Sequence, residues 1–125
     1  MTTLLTLIPG DDFVYTATVD DALGVDYNLT GSTLWLTVKR RVSDADDNAI
    51  AKLYWISGGA ASGITVGTPT TGSAVIRLTA AQTAAFAQAS HVWDLQHKDA
   101  AGVVRTVGHG VLMVLPRSTA RVTTP

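Results

Sequence analysis

Residues 33–41, Thr33-Leu34-Trp35-Leu36-Thr37-Val38-Lys39-Arg40-Arg41, decide the fold. Successive side chains of an extended chain point to opposite faces, so Leu34, Leu36 and Val38 share one side and Trp35, Thr37 and Lys39 the other. Arg40 and Arg41 close the strand. The same alternation recurs on both sides of it. Phe13–Val19 places Phe13, Tyr15, Ala17 and Val19 inward, against Val14, Thr16 and Thr18. His91–Lys98 sets Trp93 and Leu95 against Asp94 and Gln96. Ile50–Ile56 sets Leu53 and Trp55 against Lys52 and Tyr54, with large groups on both faces, so its inner face stays open.

The punctuation between these runs is that of a β-protein. Thr2–Ile8 is a β-rich run closed by Pro9-Gly10. Asp20–Gly24 is a polar turn, and Tyr27–Leu29 is short and extended. Ser43–Asn48 is an acidic loop, and Ser57–Gly63 a flexible small-residue loop that would order on contact with a partner. Ile64–Val66 and Ser73–Leu78 flank Gly67–Gly72 as a hairpin, with Ala74, Ile76 and Leu78 alternating with Val75 and Arg77. Thr79-Ala80-Ala81-Gln82 fits a capping box, and the spacing predicts one helix over Thr79–Gln88, pinned by Phe86. Asp99–Gly102 is a hairpin turn. Val103–Leu115 is a long strand interrupted at Gly108-His109-Gly110, where glycine signals a bulge or a close backbone approach. Pro116 ends it. The expected fold is an all-β, Ig-like antiparallel β-sandwich with one short helix crossing between the sheets; a closed barrel is the alternative. Residues 1–9 form an N-terminal strand or arm, 10–116 the sandwich domain, and 117–125 an extended tail.

Composition narrows the function classes. The chain has 125 residues, one domain's worth, with 46% hydrophobic and 15% charged residues, too apolar for intrinsic disorder. Nine Lys+Arg face ten Asp+Glu, which excludes a strong electrostatic attraction to nucleic acid or an anionic membrane. All ten acids are aspartates, and Thr, Ala, Val and Gly dominate, as suits strands joined by turns. There is no cysteine, hence no disulfide, thiolate metal site or cysteine nucleophile. No apolar run reaches the ~18 residues of a membrane span. The first residues lack the basic segment of a signal peptide. The low charge suggests that a partner covers part of the exterior.

No constellation in the sequence spells out an enzyme. Asp44-Ala45-Asp46-Asp47-Asn48 starts like a calcium loop, but Ala49 and Trp55 stand where such a loop needs Gly and Glu, so a solvated turn is expected. His91 and His97 share a strand face, and a hairpin would bring His97 near His109, but neither metal ligation nor acid–base work has its further groups; surface histidines are expected. A nucleophile elbow is missing: Gly59-Ala60-Ala61-Ser62-Gly63 has the wrong spacing and Gly31-Ser32 lacks the flanking glycine. Lys39-Arg40-Arg41 reads as a charged strand end, offset by the nearby aspartates. Trp93 is the expected core anchor. Trp35, Trp55 and Tyr54 are the candidate platforms for a sugar, in which case the chain would be a carbohydrate-binding module.

Several segments together resemble small Ig-like virion proteins of tailed bacteriophages. They are Gly10-Asp11-Asp12-Phe13; the run from Tyr27-Asn28-Leu29-Thr30-Gly31-Ser32 through Arg40; Ile76-Arg77-Leu78-Thr79-Ala80-Ala81-Gln82-Thr83; and Val92-Trp93-Asp94-Leu95-Gln96 with Asp99, Gly102, Val104-Arg105-Thr106 and Gly110. The resemblance spans roughly residues 10–120. Two departures are Val25-Asp26-Tyr27, in place of an acidic-Pro approach, and His109, where such proteins often carry a larger residue. The resemblance implies a non-enzymatic structural part of the virion, in the tail, baseplate or fibre-attachment region, or alternatively a capsid decoration protein. It implies assembly as a homo-oligomer and with other virion proteins, with no cofactor, metal, nucleic acid or membrane. The candidate interface residues are Thr2, Thr3, Leu4 and Leu5 in the N-terminal arm, Trp35 on its strand, and Arg117, Arg121 and Val122 in the tail. The N-terminal run would add a strand to a neighbour's sheet edge.

Overall fold

Alternating burial along each strand sorts the chain into two layers with one core between them. The structure is a computed structural model that describes residues 3–20, 24–46, 49–86 and 90–116. In chain order its elements are β1 (Leu5–Leu7), β2 (Phe13–Thr18), β3 (Thr33–Lys39), β4 (Ala51–Ile56), β5 (Ala61–Ser62), β6 (Ile64–Thr65), a 3₁₀ turn (Pro69–Thr71), β7 (Ser73–Leu78), α1 (Ala80–Thr83), β8 (Ser90–Lys98) and β9 (Val104–Val114). The larger sheet has six strands in the order β1-β9-β8-β3-β4-β5, and the smaller has three in the order β2-β7-β6. This is the all-β sandwich with a short crossover helix that the alternation foretells. The helix links β7 of one sheet to β8 of the other.

Leu34, Leu36 and Val38 of β3, Leu53 and Trp55 of β4 and Trp93 and Leu95 of β8 face Ala74, Ile76 and Leu78 of β7 and Ala17 of β2, all buried. Each aliphatic side chain so buried contributes about 1.5–3 kcal/mol relative to exposure. Tyr15 meets the Trp93 ring edge-on at 6.0 Å. The open question on β4 is thereby answered: Leu53 and Trp55 point inward, and Lys52 and Tyr54 outward.

Three details depart from the expected picture. First, β1 is no free arm. It lies parallel to β9 in its own sheet, Leu5 opposite Leu112 and Leu7 opposite Val114, with both leucines buried. Second, the helix is a single turn. Its capping box forms as expected, the Thr79 hydroxyl accepting from the Gln82 N–H and the Gln82 side chain accepting from the Thr79 N–H. The Ala85 and Phe86 N–H groups then bond back three residues, to Gln82 and Thr83, which tightens the helix out of α geometry. Phe86 is buried, and residues 87–88 of the expected helix lie outside the described residues. Third, the Ser57–Gly63 segment contains β5, which pairs with β4. At Gly63 the chain leaves one sheet for the other. That residue has φ +77°, and a Cβ there would strike the Leu53 side chain.

The interruption near Gly108 is a β-bulge. Leu95 stands opposite Gly108 but Gln96 opposite Thr106, so Val107 is the unpaired extra residue. It reverses the facing parity of β9. Before it Arg105 and Val107 turn toward the core; after it Leu112 and Val114 do, and His109 turns to solvent. Gly110 supplies the close approach: its N-terminal neighbour His109 accepts the Thr3 N–H at 2.9 Å, and a Cβ on Gly110 would run into the Thr3 carbonyl. The same Thr3 carbonyl accepts the Trp93 indole N–H at 3.2 Å.

Candidate functional site

The side chains of opposite parity on β3, β4, β8 and β9 make the outer face of the six-stranded sheet, and they fall into ladder rows. One row runs Tyr54, Trp35, Gln96, Thr106 across the four strands; the next runs Lys52, Thr37, Asp94, His109. Trp35 and Tyr54 are direct cross-strand partners, each 36% exposed. Two shallow grooves each cross both rows and share Thr37. One, of about 540 Å³, is lined by Trp35, Tyr54, Lys52, Gln96, Val104 and Asp46 among others. The second, of about 340 Å³, is lined by Lys39, Asp94, Thr106 and His109 among others.

Charges on this face are balanced and partly tied down. Lys39 Nζ pairs with the Asp46 carboxylate at 2.6 Å and donates to the Asp44 carbonyl at 2.9 Å, which staples the acidic loop to the end of β3. The hydrogen bond and charge of Lys39 hold the Asp46 carboxyl below its ordinary pKa. Asp44 accepts from the Arg41 N–H at 3.2 Å. The two described carboxylates of the candidate calcium loop are thus engaged within the chain, while Asp47 and Asn48 lie outside the described residues. Asp94 is different. Burial raises its pKa, against the opposing pull of Lys39.

The histidines do not form the surface set expected. His91 and His97 point into the core, almost fully buried, and the bulge sends His109 to the other face, opposite Asp94. His97 therefore pairs in register with Arg105, not with His109. Its Nε2 lies 2.9 Å from the hydroxyl of Ser32, and its ring meets Tyr27 edge-on at 4.6 Å. The Arg105 guanidinium lies over the Tyr27 ring, its Cζ 4.8 Å from the ring centre. Burial, and then the Arg105 charge, lower the His97 pKa.

A serine beside a histidine invites comparison with a hydrolase, and the geometry declines it. Ser32 is 1% exposed and His97 fully buried, so no substrate reaches the pair. Asp99, the nearest candidate orienter, accepts from the Tyr27 hydroxyl and from the N–H groups of Ala101 and Val103, while His97 Nδ1 has no hydrogen-bond partner among the described residues. The base is not oriented as a triad requires. Those bonds hold the Asp99 carboxyl below its ordinary pKa. This cluster escapes sequence reading because Ser32 and His97 are 65 residues apart and meet only through the β3–β8 register. Among the described residues no group of three or more His, Cys, Asp or Glu side chains is placed to hold a metal ion.

The interface candidates are dispersed. Thr3 is tied to β9 and Trp93, Leu4 is 65% exposed, and Leu5 is buried in the chain's own core. Leu5 therefore cannot be offered to a neighbour while β1 stays paired, a correction that follows from its parallel ladder with β9. Trp35 stands on the open face. Thr2, Arg117, Arg121 and Val122 lie outside the described residues. The sugar platform loses Trp55, whose ring is in the core; Trp35 and Tyr54 remain together. Among the described residues four strands pair on one side only, β1 and β5 in the larger sheet and β2 and β6 in the smaller, and β2 is the longest of them. Comparison of the chain with models of protein families and with curated proteins finds no match.

Proposed function

We propose that the chain is a non-enzymatic structural protein of a tailed-phage particle, held by protein–protein contacts in the tail, baseplate or fibre-attachment region, as a homo-oligomer and with other virion proteins. The observation that supports this most is the edge of β2, the longest strand that pairs on one side only among the described residues. Phe13–Thr18 contains no charged residue and no proline, and Val14, Thr16 and Thr18 are exposed along it. Folded proteins usually blunt such an edge with lysine, proline or a bulge, because unpaired N–H and C=O groups template pairing with another chain. On β2 itself Val14 is exposed, so an added strand would meet an apolar side chain as well as backbone groups. The other edge strands are short, three residues in β1 and two each in β5 and β6, and offer fewer backbone groups than the six residues of β2. The proposed bond is strand addition to β2, which delivers main-chain hydrogen bonds in register and needs no catalytic group.

The test is to measure the solution mass of the purified chain over a range of concentrations, and its co-purification with particles. The wild-type chain associates. Thr16→Lys and Val14→Lys, which charge the edge without touching the core, weaken association at least about tenfold, roughly 1.4 kcal/mol. A chain that stays monomeric and never joins particles overturns the proposal. Labelled chain found on the head shell instead of the tail favours the capsid decoration alternative.

A further inference from the structure

The outer face of the larger sheet is chemically unlike the β2 edge, and it points to a separate ligand. We propose that the trough across β4, β3, β8 and β9 binds a short chain of neutral pyranose sugars, with Trp35 and Tyr54 as the stacking platform and Gln96, Thr37 and Asp94 as the hydrogen-bonding rim. This goes beyond the assembly reading and does not rest on it.

Four arguments support the assignment. The two exposed rings sit side by side in one ladder row, opposite each other on neighbouring strands. An aromatic face carries partial negative charge and suits the C–H face of a pyranose, whose hydroxyls lie at the ring's rim. Polar side chains continue both rows on β8 and β9: Gln96 beyond Trp35, and Asp94 and His109 beyond Thr37. They supply donors and acceptors where sugar hydroxyls would fall. Four strands about 4.8 Å apart give the trough the length of a short oligosaccharide. Charge then separates the rival occupants. The centre of a protein–protein interface is depleted in Lys and Asp, whereas Lys52 and Asp94 sit inside this one. A phosphate backbone would face Asp94 and Asp46, with Lys39 already paired to Asp46. An apolar small molecule asks for an enclosed pocket, and these grooves are shallow.

The experiment is a two-dimensional NMR titration of the ¹⁵N-labelled chain with cellohexaose, maltohexaose and chitohexaose in turn. At least one of them shifts the Trp35 indole N–H and the Gln96 and Lys52 amides in a saturable way. Trp35→Ala weakens that binding at least about tenfold, and Asp94→Asn weakens it several-fold. Val14→Lys, on the other sheet, leaves it unchanged. Trp35 is partly exposed and outside the core, so its variant is expected to fold; should it not, Tyr54→Ala and Gln96→Ala carry the same comparison. No saturable shift with any of the three up to ~10 mM, where even weak lectin-like affinities of about 1 mM would register, overturns the proposal. So does a shift that survives Trp35→Ala. A change in solution mass on Trp35→Ala, without any sugar response, assigns the face to a second copy of the chain and equally overturns it.

Discussion

His97 carries the strongest consequence of any single residue. Its pKa is lowered in the folded chain, first by burial and then by Arg105, while Asp99 pulls it the other way. The unfolded chain therefore binds the proton more tightly than the folded one. Stability from this group is complete above the ordinary histidine value of 6.5 and is lost as pH falls below it toward the folded value. Denaturant midpoints measured at pH 7.5 and pH 5.5 are expected to fall with acidification, and His97→Gln is expected to flatten that difference. A pH-independent wild-type midpoint would refute the sign. Gly110 sits at a second such point. A methyl group in Gly110→Ala meets the Thr3 carbonyl, which is also the acceptor of the Trp93 indole. The expected cost is about 1–3 kcal/mol, of the size of overpacking, read as a fall in Tm together with a change in tryptophan emission as β1 lifts.

At the scale of elements, β1 and α1 show how short segments hold their places. β1 has three residues, too few to stand alone. Its ladder with β9 and the burial of Leu5 and Leu7 supply what its length does not. Leu7→Ala is expected to cost about 2–5 kcal/mol, whereas Leu4→Ala, on an exposed side chain, is expected to cost little; thermal denaturation of the pair separates the two. The single helical turn is held at its start by the capping box and by Asp12, whose carboxylate accepts the Ala80 N–H at 2.9 Å, and by Thr83, whose hydroxyl donates to the Asp11 carbonyl at 2.7 Å. These contacts pin the crossover to the entry of β2. Thr79→Ala is expected to destabilise by about 1 kcal/mol, measurable as a lower urea midpoint. No change would mean that the Asp12 and Thr83 contacts suffice without the cap.

For the whole molecule, two sheets sharing one core should unfold together. Trp93 and Trp55 report on the six-stranded sheet from inside that core, and Tyr15 brings the smaller sheet against Trp93. Tryptophan emission and far-ultraviolet circular dichroism are expected to trace one coincident transition in urea; separated midpoints would show the layers melting independently. Much of this architecture was legible in the residues. The alternation in 33–41, 13–19 and 74–78 sorts the side chains correctly, because the pleat forces parity on each strand by itself; in 91–98 it places Trp93 and Leu95, while His91 and His97, expected at the surface, share their inward face. The capping box at Thr79 and the glycine signal near residue 108 are local in the same way. Of the candidate site, Trp35 is visible in the sequence as the aromatic residue alternating with the aliphatic row, but its neighbours are not. That Tyr54 lies beside it while Trp55 turns into the core, that Ser32 meets His97, and that β1 pairs with β9 all depend on which distant strands are adjacent. Even His109, whose strand was plain, faces solvent only because one unpaired residue, Val107, shifts the register before it. Side-chain parity is a property of consecutive residues and can be read from them. Strand neighbours and register emerge only when chain segments many residues apart close on one core.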